Sequence, residues 1–187
     1  MPNKKRKKDT LYQFDPKEVL HLHRQLFLFG AVSDASANYI KQNLIAFDIV
    51  SNQPITLWLS SPGGSCSAGL SIIEVIKNIK SPVITIISSE VCSMAAAISV
   101  VGDVRWIFQS GIWMQHPMAS GQSDYFPFIK DRTAFLVMYN EILNKIMKDH
   151  TKLSDDDYKK IEHGELWLTA DQALEKGVVD KIINQDN

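Results

Sequence analysis

Long apolar runs are missing from this 187-residue chain. Its uninterrupted apolar stretches, Met94 to Ile98 among them, span a handful of residues against the roughly 20 that a membrane helix needs. A membrane-spanning protein is therefore not expected. No charged-then-apolar leader opens the sequence, which argues against export. Cysteine is scarce: Cys66 and Cys92 are the only two, without CxxC spacing, so neither a zinc site nor a disulfide framework is indicated, and a reducing cytoplasm suits both. A Gly-rich loop ending in Lys and Ser or Thr is also lacking, so ATP chemistry by this chain itself is not expected. Excess positive charge is absent from the body. Five cations are gathered at Lys4 to Lys8, and the rest of the chain holds 15 Lys and Arg against 21 Asp and Glu, a net −6. An acidic body argues against a nucleic-acid groove. Residues 1–10 read as a disordered basic arm, with a docking or localisation tag as the alternative, and residues 11–187 read as one domain.

What is present is a repeat of strand and helix. Leu26 to Phe29 precedes a helix over Asp34 to Val50, Ile55 to Leu59 precedes one over Ser67 to Ile79, and Val83 to Ile87 precedes one over Ser93 to Val101. Ala37, Ile40, Leu44 and Phe47 recur at intervals of three and four, as do Ile72, Ile73, Ile76 and Ile79, and each set forms one apolar stripe that must cover a sheet. Repeated βα units make parallel strands with right-handed crossovers, which predicts a layered α/β fold. Further on, Val104 to Phe108 and Ile112 to His116 read as strands around Gln109, Ser110 and Gly111. A long helix is predicted from about Lys130 to Lys148, with an apolar band broad enough to meet more than one neighbour. Thr169 and Gln172 form a capping box, Gly177 stops that short helix, and Val178 to Ile183 reads as the last strand.

Helices that follow parallel strands begin at the strands' carboxyl ends, so neighbouring junctions offer free N–H groups to a shared crevice. Two junctions stand out. Ser60 to Gly64 ends in two glycines, which let the main chain turn sharply and approach a ligand. Ser88 to Met94 delivers Ser93 to a helix of small residues whose N-terminus favours developing negative charge. Either alone is weak, because a serine at a helix start is ordinarily just a cap. Together they supply an amide pair and a hydroxyl, and the missing part is a base. His116 closes a strand before Pro117 and a polar stretch, a place from which a side chain can reach a crevice. His21 and His23 read as surface residues, and His150 as a helix-end imidazole suited to the dipole. Glu162, Glu165 and Asp171 are candidate acids.

These residues resemble a family. Ser61, Pro62, Gly63, Gly64 with Ala68 and Gly69, then Ser93 and Met94, a His beside Pro117, His150 and Thr151, and Leu168, Thr169, Ala170 with Gly177 to Asp180 are similar to the proteolytic subunit of Clp protease, over about residues 24–184. The resemblance implies a crotonase-like α/β spiral of β-β-α units with a protruding long helix. It also implies rings of seven or fourteen subunits, and a serine endopeptidase that cleaves unfolded polypeptides inside a chamber, fed by an AAA+ unfoldase. No metal or cofactor is implied. Carried over by position, Ser93 is the nucleophile, Gly64 and Met94 give the oxyanion-hole amides, His116 is the base and Glu165 the acid. The chain departs from the family in several places. Gln115, His116, Pro117 stand where the family has His, Gln, Pro, so alignment on the proline puts Gln115 at the catalytic place, whereas alignment on Arg105 puts His116 there. A one-residue shift in a strand reverses a side chain's direction, so His116 needs a bulge or a shortened turn. Glu165 replaces an aspartate, Gly164 an arginine, and Ala95 a glycine, and the basic arm replaces an apolar pore hairpin. Three alternatives stay open: an impaired ring subunit with a regulatory or scaffolding role, a crotonase-type acyl-CoA enzyme, and catalysis with His163 as the base.

Overall fold

Three strand-and-helix units build the body of the protein, in a computed structural model that describes residues 15–118 and 125–184. After a short helix α1 (Pro16–Leu22), β1 (Gln25–Phe29) leads into α2 (Asp34–Val50), β2 (Ile55–Ser61) into α3 (Cys66–Asn78), and β3 (Val83–Cys92) into α4 (Met94–Ser99). The predicted stripe of α2, Ala37, Ile40, Leu44 and Phe47, is buried, and so are Ile72, Ile73 and Ile76 of the α3 stripe, joined by Ala68 and Gly69, while the predicted Ile79 is the C-cap of α3 and only partly buried. Each helix starts where a serine can hold an orphan amide. Ser33 caps α2 in a reciprocal box with Ser36, and Ser65 accepts from Ala68 N on α3.

The three strands pair in parallel, with Leu26 beside Leu57 and Leu57 beside Thr85. Along β2 burial alternates without a break, Ile55, Leu57, Leu59 and Ser61 facing the core, so β2 presents one face inward. The opposite face carries Phe27, Trp58 and Phe108, whose rings approach at 6.3 and 6.1 Å and stay partly exposed. Arg24, at φ 58, ties the start of this sheet to its loops by donating to the carbonyls of Phe47, Ser51, Gln53 and Pro54. β4 (Val104–Phe108) and β7 (Lys181–Ile183) extend the parallel sheet in the order β1-β2-β3-β4-β7.

β3 is longer than the sequence predicts, and the extra length positions the site. Its first half, Ile84 to Ile87, pairs with β4, while Glu90 to Cys92 pairs in parallel with β5 (Ile112–Gln115). β5 in turn pairs antiparallel with β6 (Leu166–Thr169), where Gln115 faces Leu166. Between them in sequence come α5 (Phe126–His150) and α6 (Asp155–His163), and α7 (Ala170–Glu175) follows β6. Among the described side chains of α5 the buried ones, Leu143, Ile146 and Met147, lie in its last turns, while Phe135, Val137, Met138 and Ile142 are exposed, so the described part of the helix projects from the body. The layered α/β architecture is as the sequence predicts. Three elements, α1, α6 and β6, are additions to it, and the last strand is shortened to three residues. The basic arm, residues 1–10, lies outside the described residues.

Candidate functional site

The turn after β2 needs both of its glycines. Gly63 has φ +89, and a Cβ there would stand 2.6 Å from the Cys92 carbonyl oxygen and 2.8 Å from Ser93 Cβ. The two strand-to-helix junctions are therefore in contact at this point. Gly64 has φ +146, and a Cβ on it would collide with the Val32 carbonyl. Val32 grips the turn from both sides: its N–H donates to Gly63 O at 2.8 Å and its carbonyl accepts from Ser65 N at 2.8 Å. The Gly64 N–H between those two bonds donates to no described residue.

Ser93 sits at the other junction with φ 55 and ψ −123, a conformation that costs a non-glycine residue about 1–3 kcal/mol. The residue is fixed from both ends. Its N–H donates to Met114 O at 2.9 Å, and its carbonyl accepts from Ala97 N at 3.2 Å. Although Ser93 stands at the N-cap of α4, its hydroxyl makes no cap bond. That removes the ordinary reason for a serine at this place. Strained backbone, free hydroxyl and the first amide of α4 lie together.

A cavity of about 270 Å³ opens over these junctions, lined by Gly64, Ser93, Met94, Gln115 and His116. Its further wall comes from Cys66, Met118, Leu143 and Ile161. β5 ends at Gln115, so His116 lies beyond the ladder and strand alternation no longer fixes which way it points. Gln115 and His116 both line the cavity. His116 Nδ1 is 2.5 Å from the Pro117 carbonyl oxygen, an acceptor only, so this contact favours the tautomer with the proton on Nδ1, whose Nε2 is an acceptor.

Glu165 is not among the residues that line this cavity. It is exposed, and its Oε2 accepts from Trp167 Nε1 at 2.8 Å. The β5–β6 ladder ends at Gln115 and Leu166, so His116 and Glu165 are the next residues beyond it on the two strands. The other described histidines lie elsewhere. His163 ends α6 and is exposed, and His21 rests on the Phe47 ring. His150 lines a separate hollow with Arg105, where burial, then Lys77 and Arg105, hold its ring below the usual imidazole range and outweigh the opposing Asp149 carboxylate.

Neither thiol is poised to compete with Ser93 as a nucleophile. Burial, followed by the Glu90 and Glu165 carboxylates, pushes Cys92 up to about 12, and burial pushes Cys66 up as well. The sequence did not point to the cavity's far wall. Asn140, Leu143 and Asn144 reach it because α5 returns across the β3–α4 junction, and a helix stripe does not reveal what it will face.

A mostly parallel sheet whose neighbouring strand-to-helix junctions open into one cavity defines an α/β protein with a crevice at the strands' carboxyl ends, the place where such sheets bind ligands. The chain belongs to the Clp protease family, whose model matches residues 7–186, and is by family a peptidase. Among similar proteins, ATP-dependent Clp protease proteolytic subunit 3 of Parasynechococcus marenigrum (strain WH8102) is 30% identical over 172 residues, covering 90% of this chain and 86% of that protein. ATP-dependent Clp protease proteolytic subunit 2 of Prochlorococcus marinus (strain MIT 9312) is 31% identical over 168 residues, covering 88% and 83%. No helix of the described residues is long and apolar enough to cross a membrane.

Proposed function

We propose that the chain is the proteolytic subunit of a cytoplasmic, ATP-dependent serine endopeptidase, assembled in rings of seven or fourteen and supplied with unfolded polypeptide by an AAA+ unfoldase. One observation carries the serine assignment. The hydroxyl of Ser93, free of any cap bond at a strained junction, shares one cavity with Gly64, Met94 and His116.

In this reading Ser93 Oγ attacks the carbonyl carbon of the scissile peptide while His116 Nε2 accepts the hydroxyl proton. The Gly64 and Met94 amides hold the negative oxygen of the tetrahedral intermediate, each such donor contributing about 10²–10³ in rate. His116 then returns the proton to the leaving amine, and water repeats the sequence on the acyl-serine. The Pro117 carbonyl keeps the productive tautomer, a task usually given to a carboxylate. Glu165, one residue past the Gln115–Leu166 end of the β5–β6 ladder as His116 is, is the acid and acts as electrostatic support for the imidazolium.

Labelling with a fluorophosphonate, mapped to a residue, tests this. The expected result is modification of Ser93 in the wild type and its loss in His116→Ala. Equal labelling of the two proteins refutes His116 as the base, and no labelling of either refutes the nucleophile, leaving the impaired-subunit and acyl-CoA readings. Labelling that instead vanishes in His163→Ala moves the base to α6.

A further inference from the structure

Gln115 is an anomaly in the cavity. The residue is 7% exposed, it lines the cavity beside Ser93 and His116, and its buried Oε1 has no hydrogen-bond partner among the described residues. A buried carboxamide oxygen left unpaired is costly, so the donor that satisfies it should come from what enters the cavity. Its position is tightly set. Cys92 pairs with Met114, and Ser93 N donates to Met114 O, so Gln115 stands one step along the same ladder, next to Ser93. A substrate residue presented to Ser93 therefore passes the Gln115 amide.

The rest of the lining has the same character. Asn140 and Asn144, one helical turn apart on α5, bring two more carboxamides to this cavity. Met118, Leu143 and Ile161 supply an apolar wall, and among the described residues no Asp, Glu, Lys or Arg lines it. A charged side chain entering here would be desolvated with no Asp, Glu, Lys or Arg to pair with and only the His116 ring, which the proposed mechanism already uses, nearby, and a purely apolar one would leave the Gln115 oxygen unpaired. A neutral carboxamide on an aliphatic stem meets both demands: its methylenes lie on the apolar wall, and its amide exchanges hydrogen bonds with Gln115.

We propose that Gln115 determines specificity, selecting substrates with glutamine at the residue that donates the scissile carbonyl. The inference rests on the Ser93 reading above, but its test separates the two. Gln, Met and Glu are nearly equal in shape and differ in hydrogen bonding and charge, so they form the probe set. Binding of N-acetyl-Ala-Ala-X peptides, with X one of these three, is measured by calorimetry on full-length Ser93→Ala, which needs no nucleophile. Cleavage of the matching p-nitroanilides is measured on the wild type.

The expected result is that X = Gln binds about tenfold more tightly than X = Met, with X = Glu weakest, and that kcat/KM follows the same order. Adding Gln115→Met should bring Met level with Gln or ahead of it, because the amide that discriminated is gone. Wild-type protein that ranks Met above Gln overturns the proposal without need of any Gln115 variant. An unchanged order in Gln115→Met overturns it too, as does failure of all three peptides to bind. If fluorophosphonate fails to label Ser93 while the Gln115-dependent order persists in binding, the catalytic reading falls and the specificity survives. Labelling of Ser93 without that order keeps the nucleophile and overturns the specificity.

Discussion

At Ser93 the backbone sits at φ 55 although a glycine would adopt this conformation without strain, and the side chain does not recover the cost by capping α4. A hydroxyl held there at a cost of a kilocalorie or more makes sense if its direction is what matters. The same scale of reasoning decides how much Glu165 contributes. In a preformed Ser-His-Asp triad the acid fixes the tautomer, and losing its charge costs about 10⁴ in kcat. Here the Pro117 carbonyl already holds His116 Nδ1–H, and the Glu165 carboxylate is engaged with Trp167. Glu165→Gln is therefore expected to lower kcat/KM for a chromogenic peptide by about tenfold or less, against roughly 10³ or more for His116→Ala. A loss for Glu165→Gln as large as that for His116→Ala would mean that the carboxylate swings onto the imidazole in the working enzyme.

Among elements, the β2–α3 junction makes the clearest demand. Gly30 and Gly64 both have positive φ, yet a Cβ on Gly30 would meet nothing within 4 Å while one on Gly64 would meet the Val32 backbone. Gly30→Ala should cost about 1 kcal/mol in urea unfolding, the left-handed penalty alone. Gly64→Ala should cost visibly more and reduce peptidase activity by at least about 10², because Val32 and the amide donor cannot both keep their places. The glycine pair, Ser93 and the helix stripes were legible in the sequence because turn chemistry and 3.6-residue periodicity are local. Other elements were less so. α6 holds few apolar residues, Tyr158 and Ile161 among them, so periodicity is silent, and its start is written only in the Ser154–Asp157 capping box. β6 is four residues long and owes its state to pairing with β5, a contact that no local pattern encodes. For the same reason the sequence left the direction of His116 open. Where the strand stops, at Gln115, is decided by the Pro117 turn and by the partner strand rather than by residue type.

For the whole molecule, carboxylates set the response to acid. Burial alone would raise Asp157, but the Lys176 ammonium at 2.8 Å and the Ser154 donors outweigh it and hold the carboxyl below its usual range. Asp180 behaves likewise, raised by burial and lowered further by Arg105. A folded-state pKa below the unfolded value of about 3.9 stabilises the protein above that pH, and the contribution is lost as pH falls through the lowered value. Asp157→Asn should thus lower Tm at pH 7, by about 1–3 kcal/mol of stability, and the gap to wild type should narrow in thermal melts as pH falls below the unfolded value of about 3.9. A gap that persists undiminished at pH 3 would assign the loss to packing. On the same scale, the Phe135, Met138 and Ile142 stripe of α5 is left exposed by the described residues, which fits the ring assembly proposed above.

β3 serves two tenants along one edge, β4 on its first half and β5 on its second, and the two halves have different duties. The first half belongs to the five-strand body, whereas the second supports a thin outer leaf made of β5 and β6, four residues each. Amide protons of Ile112–Gln115 and Leu166–Thr169 should accordingly exchange with deuterium sooner than those of Ile55–Leu59, which would be seen by mass spectrometry. Because Gln115 ends that leaf and His116 follows it, loosening the leaf would displace both residues from the proposed site while the body stays folded.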